Sequence, residues 1–355
     1  MSPRITRGCM NTDVALILLQ DGLVSGAVYV LLATALVLVF SVTRVVFVPQ
    51  GDLVAFTALT LSAFEAGQPP GTVWILIVAA AIALALDVIE AVRLRDRLHA
   101  TRSLLRFGLV PTVIVMAALF LVPKTAPLAW KMAVSAALIA CLGPLIYRIV
   151  FQPLAAASPL VLLIAAVAAH LGLSSIGLHV FGAEGVRTEG FSGAPFALFG
   201  MIVTPQAVGV LASSVTVVTA LYVFFRFSLR GRALLAAAHN RRGAEIVGIS
   251  TVAAGRTVFL LTGIAAAISG LLIGPTTTLY YDSGFLLGLK GFVGAIVGGM
   301  AVYPLAAAGA LLVGTVEAFA SFWASAYRDV IVFLVIIPVL FWRSVSTVAP
   351  EDGLE

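Results

Sequence analysis

Long apolar runs recur along the whole sequence and leave little choice of fold. Of the 355 residues, 61% are hydrophobic and 10% are charged, whereas an average soluble domain has about 25% charged residues. A surface with so few charges does not suit a soluble protein, and about 20 consecutive apolar residues are enough to cross a bilayer. The sequence therefore predicts an all-α, polytopic membrane protein. We expect about ten or eleven membrane segments, broken helices included, in one transmembrane domain over residues 1–355.

The first apolar run, 14–40, follows Arg4 and Arg7 and so resembles a signal peptide. It is longer than the usual 7–15 apolar residues of such a peptide, and no small-residue cleavage site closes it. We therefore expect a retained membrane helix. Counting crossings back from the central basic loop places the N-terminus outside, against its two arginines. A segment 41–66 that enters the membrane without crossing it would remove this conflict, so the side of the N-terminus stays open.

Residues 226–256 form a polar island between two apolar runs. The island carries six arginines and a single acid, Glu245. Arginine-rich loops beside membrane helices stay in the cytoplasm, which predicts that this loop is cytoplasmic. Residues 233–239 favour a helix, Gly243 is expected to interrupt it, and 248–250 should form a turn. Two interpretations are open at this point: a docking element for a soluble partner, or a basic loop that only sets the topology.

Two interrupted apolar segments, 41–56 and 274–291, lie in opposite halves of the chain. Paired interruptions of this kind are the best sequence pointer to a transport site, although Gly and Pro there would also permit close packing. A charge within the membrane costs about 2.5–3.5 kcal/mol and needs a reason; the candidates are Asp52, Lys290 and Glu317. In the alternative interpretation, Asp52 and Lys290 lie at the membrane interface, which the long lysine side chain can reach, and Glu317 forms a structural hydrogen bond to a neighbouring helix. A lone histidine in an apolar run, His170, is expected to be a buried hydrogen-bonding group.

Motifs of enzymes are absent from the sequence. It contains no GxxxxGK[ST], HExxH or GxSxG motif and no cluster with metal-ligand spacing. We therefore predict no enzymatic activity, no metal and no cofactor. Cys9 and Cys141 define no disulfide framework, and the net charge of +5 marks topology, not a nucleic-acid site.

The driving force for transport can also be inferred. Because intramembrane acids are few, a partner protein that acts through the island 226–256 is favoured over an ion gradient. A self-contained secondary transporter of a small polar solute is the alternative.

Four stretches resemble the permease subunits of branched-chain amino-acid ABC transporters. They are 22–32 (GLVSGAVYVLL), 47–52 (FVPQGD), 231–249, and 288–299 (GLKGFVGAIVGG), and Glu317 with the triplet YRD at 327–329 extends the match. The resemblance implies an importer subunit for branched-chain or other small hydrophobic amino acids, in the bacterial inner membrane. It implies two ATP-binding-cassette ATPase subunits, a second related permease in a heterodimer or homodimer, and an extracytoplasmic substrate-binding protein. Importers of urea or amides in the same family are a further alternative.

The resemblance also assigns roles to residues. Coupling to the ATPase is expected at Arg232, Ala236, Ala237, Ala238, Glu245, Gly248 and Ile249. Together with the interruptions and charges above, it predicts a translocation pathway at Gln50, Gly51, Asp52, Tyr280, Tyr281, Lys290, Phe292 and Glu317. Phe47 and Pro49 depart from the family pattern, where Asn and Ala are usual. Residues 87–130 are predicted to be an insertion with an extra helix pair and a basic loop.

Overall fold

The computed structural model of the chain describes residues 12–94, 103–120, 122, 125–198, 201–300 and 303–346. Within them the helices are α1 Thr12–Thr43, α2 Gln50–Glu65, α3 Thr72–Leu94, α4 Leu104–Phe120, α5 Leu128–Phe151, α6 Pro159–Phe181, α7 Pro205–Phe227, α8 Leu229–His239, α9 Arg241–Ile246, α10 Thr251–Ile273, α11 Ser283–Val297, α12 Tyr303–Trp323, α13 Arg328–Leu334 and α14 Ile336–Ser346. Helix α4 begins, and α5 ends, with a stretch of π-helix. Two short strands, β1 Phe196–Leu198 and β2 Met201–Val203, pair as an antiparallel hairpin.

Most of these helices have the length and apolarity of membrane spans. Among the described residues there are eight such candidates, counting α13 and α14 as one, and α4 and α11 are shorter apolar helices. The prediction of an all-α polytopic membrane protein is confirmed. The β1–β2 hairpin, in the long loop between α6 and α7, was not predicted.

Contacts at the two ends of α1 define the two faces of the bundle. Near its start, Gln20 Nε2 donates to the carbonyl of Ile202 in the hairpin at 3.3 Å. At its other end, Val42 and Thr43 border a small cavity together with Ala237 of the basic loop. We call the side of α8 and α9 the arginine-rich face and the opposite side the hairpin face. The start of α1 therefore lies on the face opposite the basic loop, whereas residues 1–11, which carry Arg4 and Arg7, lie outside the described residues.

The first interrupted segment crosses the bundle in two parts. After α1, residues 44–49 turn back along it, and Gln50 Nε2 donates to the Leu32 carbonyl at 3.0 Å. Leu32 precedes the end of α1 by eleven residues, or about 16 Å at 1.5 Å per residue. Helix α2 then continues to the hairpin face, where the Glu65 carboxylate accepts from the Glu189 N–H at 3.2 Å. An entry without crossing is therefore wrong, and the conflict with the N-terminal arginines stands.

The second interrupted segment runs the other way. Leu279 pairs with Val186 in an isolated bridge near the hairpin face, and α11 begins at Ser283. Helices α2 and α11 cross where Gly51 meets Gly284. A Cβ atom placed on Gly284 would lie 2.6 Å from the Cα of Asp52, so the two backbones touch. The interruptions of the two halves therefore meet in one place.

Helix α1 forms the centre of the bundle, since its residues 26–39 are all buried. Glycines allow α12 to approach it closely, because a Cβ atom on Gly26 would lie 3.0 Å from the Cα of Leu311. Small residues at such crossings are typical of membrane helices, which gain little from apolar burial in lipid.

Residues 87–130, predicted as an insertion, contain the last third of α3, all of α4 and the first three residues of α5. Asp87 accepts from Ser103 and pairs with Arg148 of α5, and Arg148 also contacts Glu90 at 2.6 Å. These buried contacts tie α3 to α5. Much of the predicted basic loop, 95–102, lies outside the described residues. The insertion itself stays a prediction.

Candidate translocation pathway and coupling surface

A cavity of about 880 Å³ opens on the hairpin face between α1, the start of α7 and the end of α10. Its volume falls within the range of known ligand pockets, about 300–1,000 Å³. Exposed Asp13 and Asp21 line its rim, and the buried side chains of Tyr29, Lys290 and Glu317 line its interior. Apolar side chains of α1 and α11 complete the wall. Polar and apolar residues line the cavity in about equal numbers, which suits a small amphiphilic solute.

Five side chains form an ion cluster at the inner end of this cavity: Tyr29, Lys290, Glu317, Arg328 and Asp329. Lys290 Nζ lies 2.6 Å from Glu317 Oε1 and 3.0 Å from Asp329 Oδ1. The Tyr29 hydroxyl donates to Glu317 Oε2 at 2.6 Å, and Arg328 Nε lies 3.6 Å from Glu317 Oε1. The two cations balance the two acids. Lys290 is only 5% exposed, so its expected reach to the membrane interface is wrong.

The ion cluster can exchange partners with a bound zwitterion. Lys290 and Arg328 offer N–H donors to a carboxylate, and Glu317 and Asp329 offer acceptors to an ammonium group. Charge-assisted hydrogen bonds are the strong ones in a low-dielectric site. Because the cluster is neutral without ligand, a neutral zwitterion leaves its charge balance unchanged. This chemistry fits an amino acid better than it fits an ion.

Asp52 lies in a second, separate buried site. Its carboxylate, 0% exposed, accepts from His170 Nδ1 at 2.8 and 2.9 Å, and the imidazole stacks on Phe285 with ring centroids 4.7 Å apart. Phe285 and Lys290 are five residues apart on α11, or about 140° around the helix. Asp52 therefore lies behind α11, away from the cavity. His170 is the buried hydrogen-bonding group that the sequence predicts.

The structure brings only two of the eight predicted pathway residues to the cavity, Lys290 and Glu317. Gln50 and Gly51 lie beside Asp52 in the α2–α11 crossing. Tyr280 is 45% exposed and packs on Gly185 of the outer loop, whereas Tyr281 lies beside Gly177 of α6. Phe292 is half-buried outside the cavity lining. The pathway roles of all eight stay predictions.

Three members of the ion cluster were missed as pathway residues. Tyr29 stands in the first stretch that resembles the permease family, and Arg328 and Asp329 belong to the YRD triplet. All three were noted there without a role. The available signal was the presence of polar side chains in apolar spans: Tyr29 in the first span, and Arg328 and Asp329 at the start of the last span.

Two short helices, α8 and α9, make up the predicted coupling element, and their boundaries follow from local capping. The Ser228 side chain caps α8 by accepting from the Gly231 N–H at 2.9 Å. Asn240 ends α8 and caps α9 by accepting from the Gly243 N–H at 2.9 Å. The break is therefore at Asn240, and the expected interruption at Gly243 is wrong. Gly248, with φ of 85°, forms the predicted turn.

The predicted coupling residues do not share one face. Arg232, Ala236, Glu245 and Gly248 are exposed, and Ala238 and Ile249 are half-buried. Ala237 is 4% exposed and points towards Val42 and Phe151 of its own chain. Its small side chain therefore permits close packing within the protein, not against a partner as expected.

Two apolar residues of this element that sequence reasoning missed are highly exposed. Ile246 is 85% exposed and Val247 is 73% exposed, and Arg232 and Ala236 of α8 are exposed as well. The sequence signal for these two residues is that adjacent β-branched apolar side chains occur within the otherwise polar island 226–256. We call Arg232, Ala236, Ile246 and Val247 the docking face.

Comparison with known proteins places this geometry in a family. The family model described as branched-chain amino acid transport system / permease component matches residues 18–340. The chain belongs to this family. The resemblance seen in the sequence is thereby confirmed.

Several curated permeases are similar to this chain. It is 30% identical over 206 residues to the high-affinity branched-chain amino acid transport system permease protein LivH of Salmonella typhimurium, and 28% identical over 202 residues to LivH of Escherichia coli K12. It is 30% identical over 146 residues to BraD of Pseudomonas aeruginosa. These matches cover 55%, 55% and 41% of this chain. The chain spans 66%, just under two thirds, of the LivH proteins and 48% of BraD. No solved structure matches the chain significantly.

Proposed function

We propose that this chain is the membrane-spanning subunit of an ABC importer that moves branched-chain or other small hydrophobic amino acids into the cytoplasm. One observation carries the proposal: a cavity with a neutral ion cluster opens on one face, and an apolar docking face lies on the other. An importer driven by a cytoplasmic partner needs both. The names of the similar permeases support the substrate class.

The lining of the cavity supports a substrate with charged and apolar ends. Val24, Val28 and Leu287 line it together with the ion cluster. A branched aliphatic side chain would bury apolar surface against these residues, at about 25 cal/mol per Å². Its amino and carboxyl groups would meet the balanced charges of Glu317 and Lys290.

The docking face supports a soluble partner on the arginine-rich side. Exposed apolar pairs such as Ile246 and Val247 are costly in water and mark interaction sites. We assign to this face one of the two ATP-binding-cassette ATPase subunits of the importer, which together carry out ATP hydrolysis in place of this chain. A second related permease and an extracytoplasmic substrate-binding protein complete the assembly, in the bacterial inner membrane.

Reconstitution tests the proposal. The chain, the second permease and the ATPases are placed in proteoliposomes, the binding protein is added outside, and uptake of radiolabelled leucine is measured. We expect uptake that requires ATP and every partner. Uptake by the chain alone with only an ion gradient would support the secondary transporter. Uptake of radiolabelled urea, with no uptake of radiolabelled leucine, would support a urea or amide importer.

Ala236→Arg and Ala237→Arg form a matched test of the docking face. Ala236 is exposed, so its substitution should change the free energy of unfolding by less than about 0.5 kcal/mol and abolish stimulation of ATP hydrolysis by substrate. Ala237 is buried beside Arg241, and an unpaired cation there should destabilise the chain by about 3 kcal/mol. Thermal unfolding in detergent and ATPase assays measure both effects. Normal coupling in Ala236→Arg would rule out this surface.

A further inference from the structure

A second cavity lies at the arginine-rich face, far from the ion cluster. Its volume is about 590 Å³, and its walls are α4, the end of α5, α8 and the start of α10. Helix α4 belongs to the segment proposed as an insertion. The proposed transport function leaves this cavity without a role.

Three arginines line this cavity, Arg106, Arg230 and Arg256, and no acidic residue lines it. Within the described part of the chain, no ion pair is formed by Arg106 or Arg230. Arg256 lies over the Phe107 ring at 5.4 Å and donates to Gln152 at 3.4 Å, but its buried Nε has no hydrogen-bond partner. Asp87 attracts Arg256 from outside the lining, but it is itself paired with Arg148. The cavity therefore keeps an excess of positive charge, which creates a site for an anion.

The cavity becomes apolar deeper in the bundle. Val110 and Leu260 stand four residues after Arg106 and Arg256 on α4 and α10, which is about 6 Å further from the arginine-rich face. Both line the cavity and are exposed, Val110 by 47% and Leu260 by 38%. Pro111 and Leu145 continue this apolar wall. The site therefore has a cationic end at the membrane surface and an apolar end within the membrane.

We infer that this cavity binds an anionic phospholipid, with its phosphate at Arg106, Arg230 and Arg256 and an acyl chain along Val110 and Leu260. Basic pockets between membrane helices on the cytoplasmic side suit such headgroups. Arg230 belongs to α8 of the coupling element, and Ile249 and Ser250 of the following turn also line the cavity. A bound lipid thus links α4 to the coupling element and holds its position. The inference does not depend on the transported substrate.

Lipid affinity of the purified full-length chain tests the inference. The dissociation constant of a fluorescent phosphatidylglycerol is measured in detergent, with phosphatidylcholine as competitor. The Arg106→Gln/Arg230→Gln double variant changes two exposed side chains, so folding should be kept. We expect its affinity for phosphatidylglycerol to fall about 30-fold. Arg242→Gln removes an exposed arginine of the same loop outside the cavity and should leave the affinity unchanged.

Two further measurements separate a lipid from a free anion. Val110→Asn should weaken phosphatidylglycerol binding about fivefold, and excess inorganic phosphate should displace little lipid. Full displacement by phosphate, with no effect of Val110→Asn, would assign the site to a free anion and overturn the lipid. Equal affinities of the double variant and Arg242→Gln, or equal competition by phosphatidylcholine, would overturn the site itself.

Discussion

Gly284→Ala is expected to destabilise the folded chain by about 3 kcal/mol or more, the upper end of the cost of overpacking. The added methyl group would lie 2.6 Å from Asp52 Cα and Asp52 N. These are backbone atoms, so no side-chain rotation can make room. The two interrupted segments must separate, which also disturbs the buried contact between Asp52 and His170. Thermal unfolding in detergent and the elution profile on gel filtration measure the effect.

Gly172→Ala is the matched control for this substitution. Gly172 lies in α6, and a Cβ atom there meets no atom within 4 Å. Alanine favours a helix over glycine by about 0.5–1 kcal/mol, so this variant should be as stable as the parent or slightly more stable. Equal melting temperatures of Gly172→Ala and Gly284→Ala would contradict the close crossing of α2 and α11.

Lys290→Met is expected to cost about 3–5 kcal/mol of stability and to abolish uptake. The change removes the cation that lies within 3.0 Å of both Glu317 and Asp329, and an uncompensated buried carboxylate is strongly unfavourable. Melting temperature in detergent and leucine uptake in proteoliposomes are the measurements.

A double variant separates charge balance from transport. Lys290→Met/Glu317→Gln removes one charge of each sign and leaves Arg328 paired with Asp329 at 3.4 Å. We expect it to recover most of the lost stability but none of the uptake. A single Lys290→Met variant that melts like the parent would show that the ion cluster does not stabilise the fold. Normal uptake by the double variant would exclude the cluster from the pathway.

Much of this architecture could be predicted because it depends on local sequence. Apolar runs of span length predict helices in lipid, where every backbone group must bond within its own segment. Arginines mark one face, and Gly and Pro mark the interruptions at 41–56 and 274–291. The turn at Gly248 follows from the same local chemistry. The N-caps at Ser228 and Asn240 could be predicted in the same way, because Ser and Asn are preferred at this position. The break between α8 and α9 was nevertheless predicted at Gly243.

The partners of the buried charges could not be predicted, because they depend on how helices pack. Tyr29 meets Glu317 across 288 positions, and Asp52 meets His170 across 118. Hydropathy gives each residue a depth in the membrane but not the side of its helix that faces a neighbour. For this reason Asp52 and Lys290, both predicted for one pathway, lie on different sides of α11.

The sequence by itself determined the membrane class, the arginine-rich side and the family of this protein, since composition and motif are properties of the chain alone. Only the tertiary structure decided that Lys290, Glu317 and Arg328 share one cavity, that Ala237 faces its own chain, and that Ile246 and Val247 face outward. The physical reason is that side-chain direction is set by the rotation of each helix against its neighbours, which glycine contacts such as Gly51 with Gly284 fix in space.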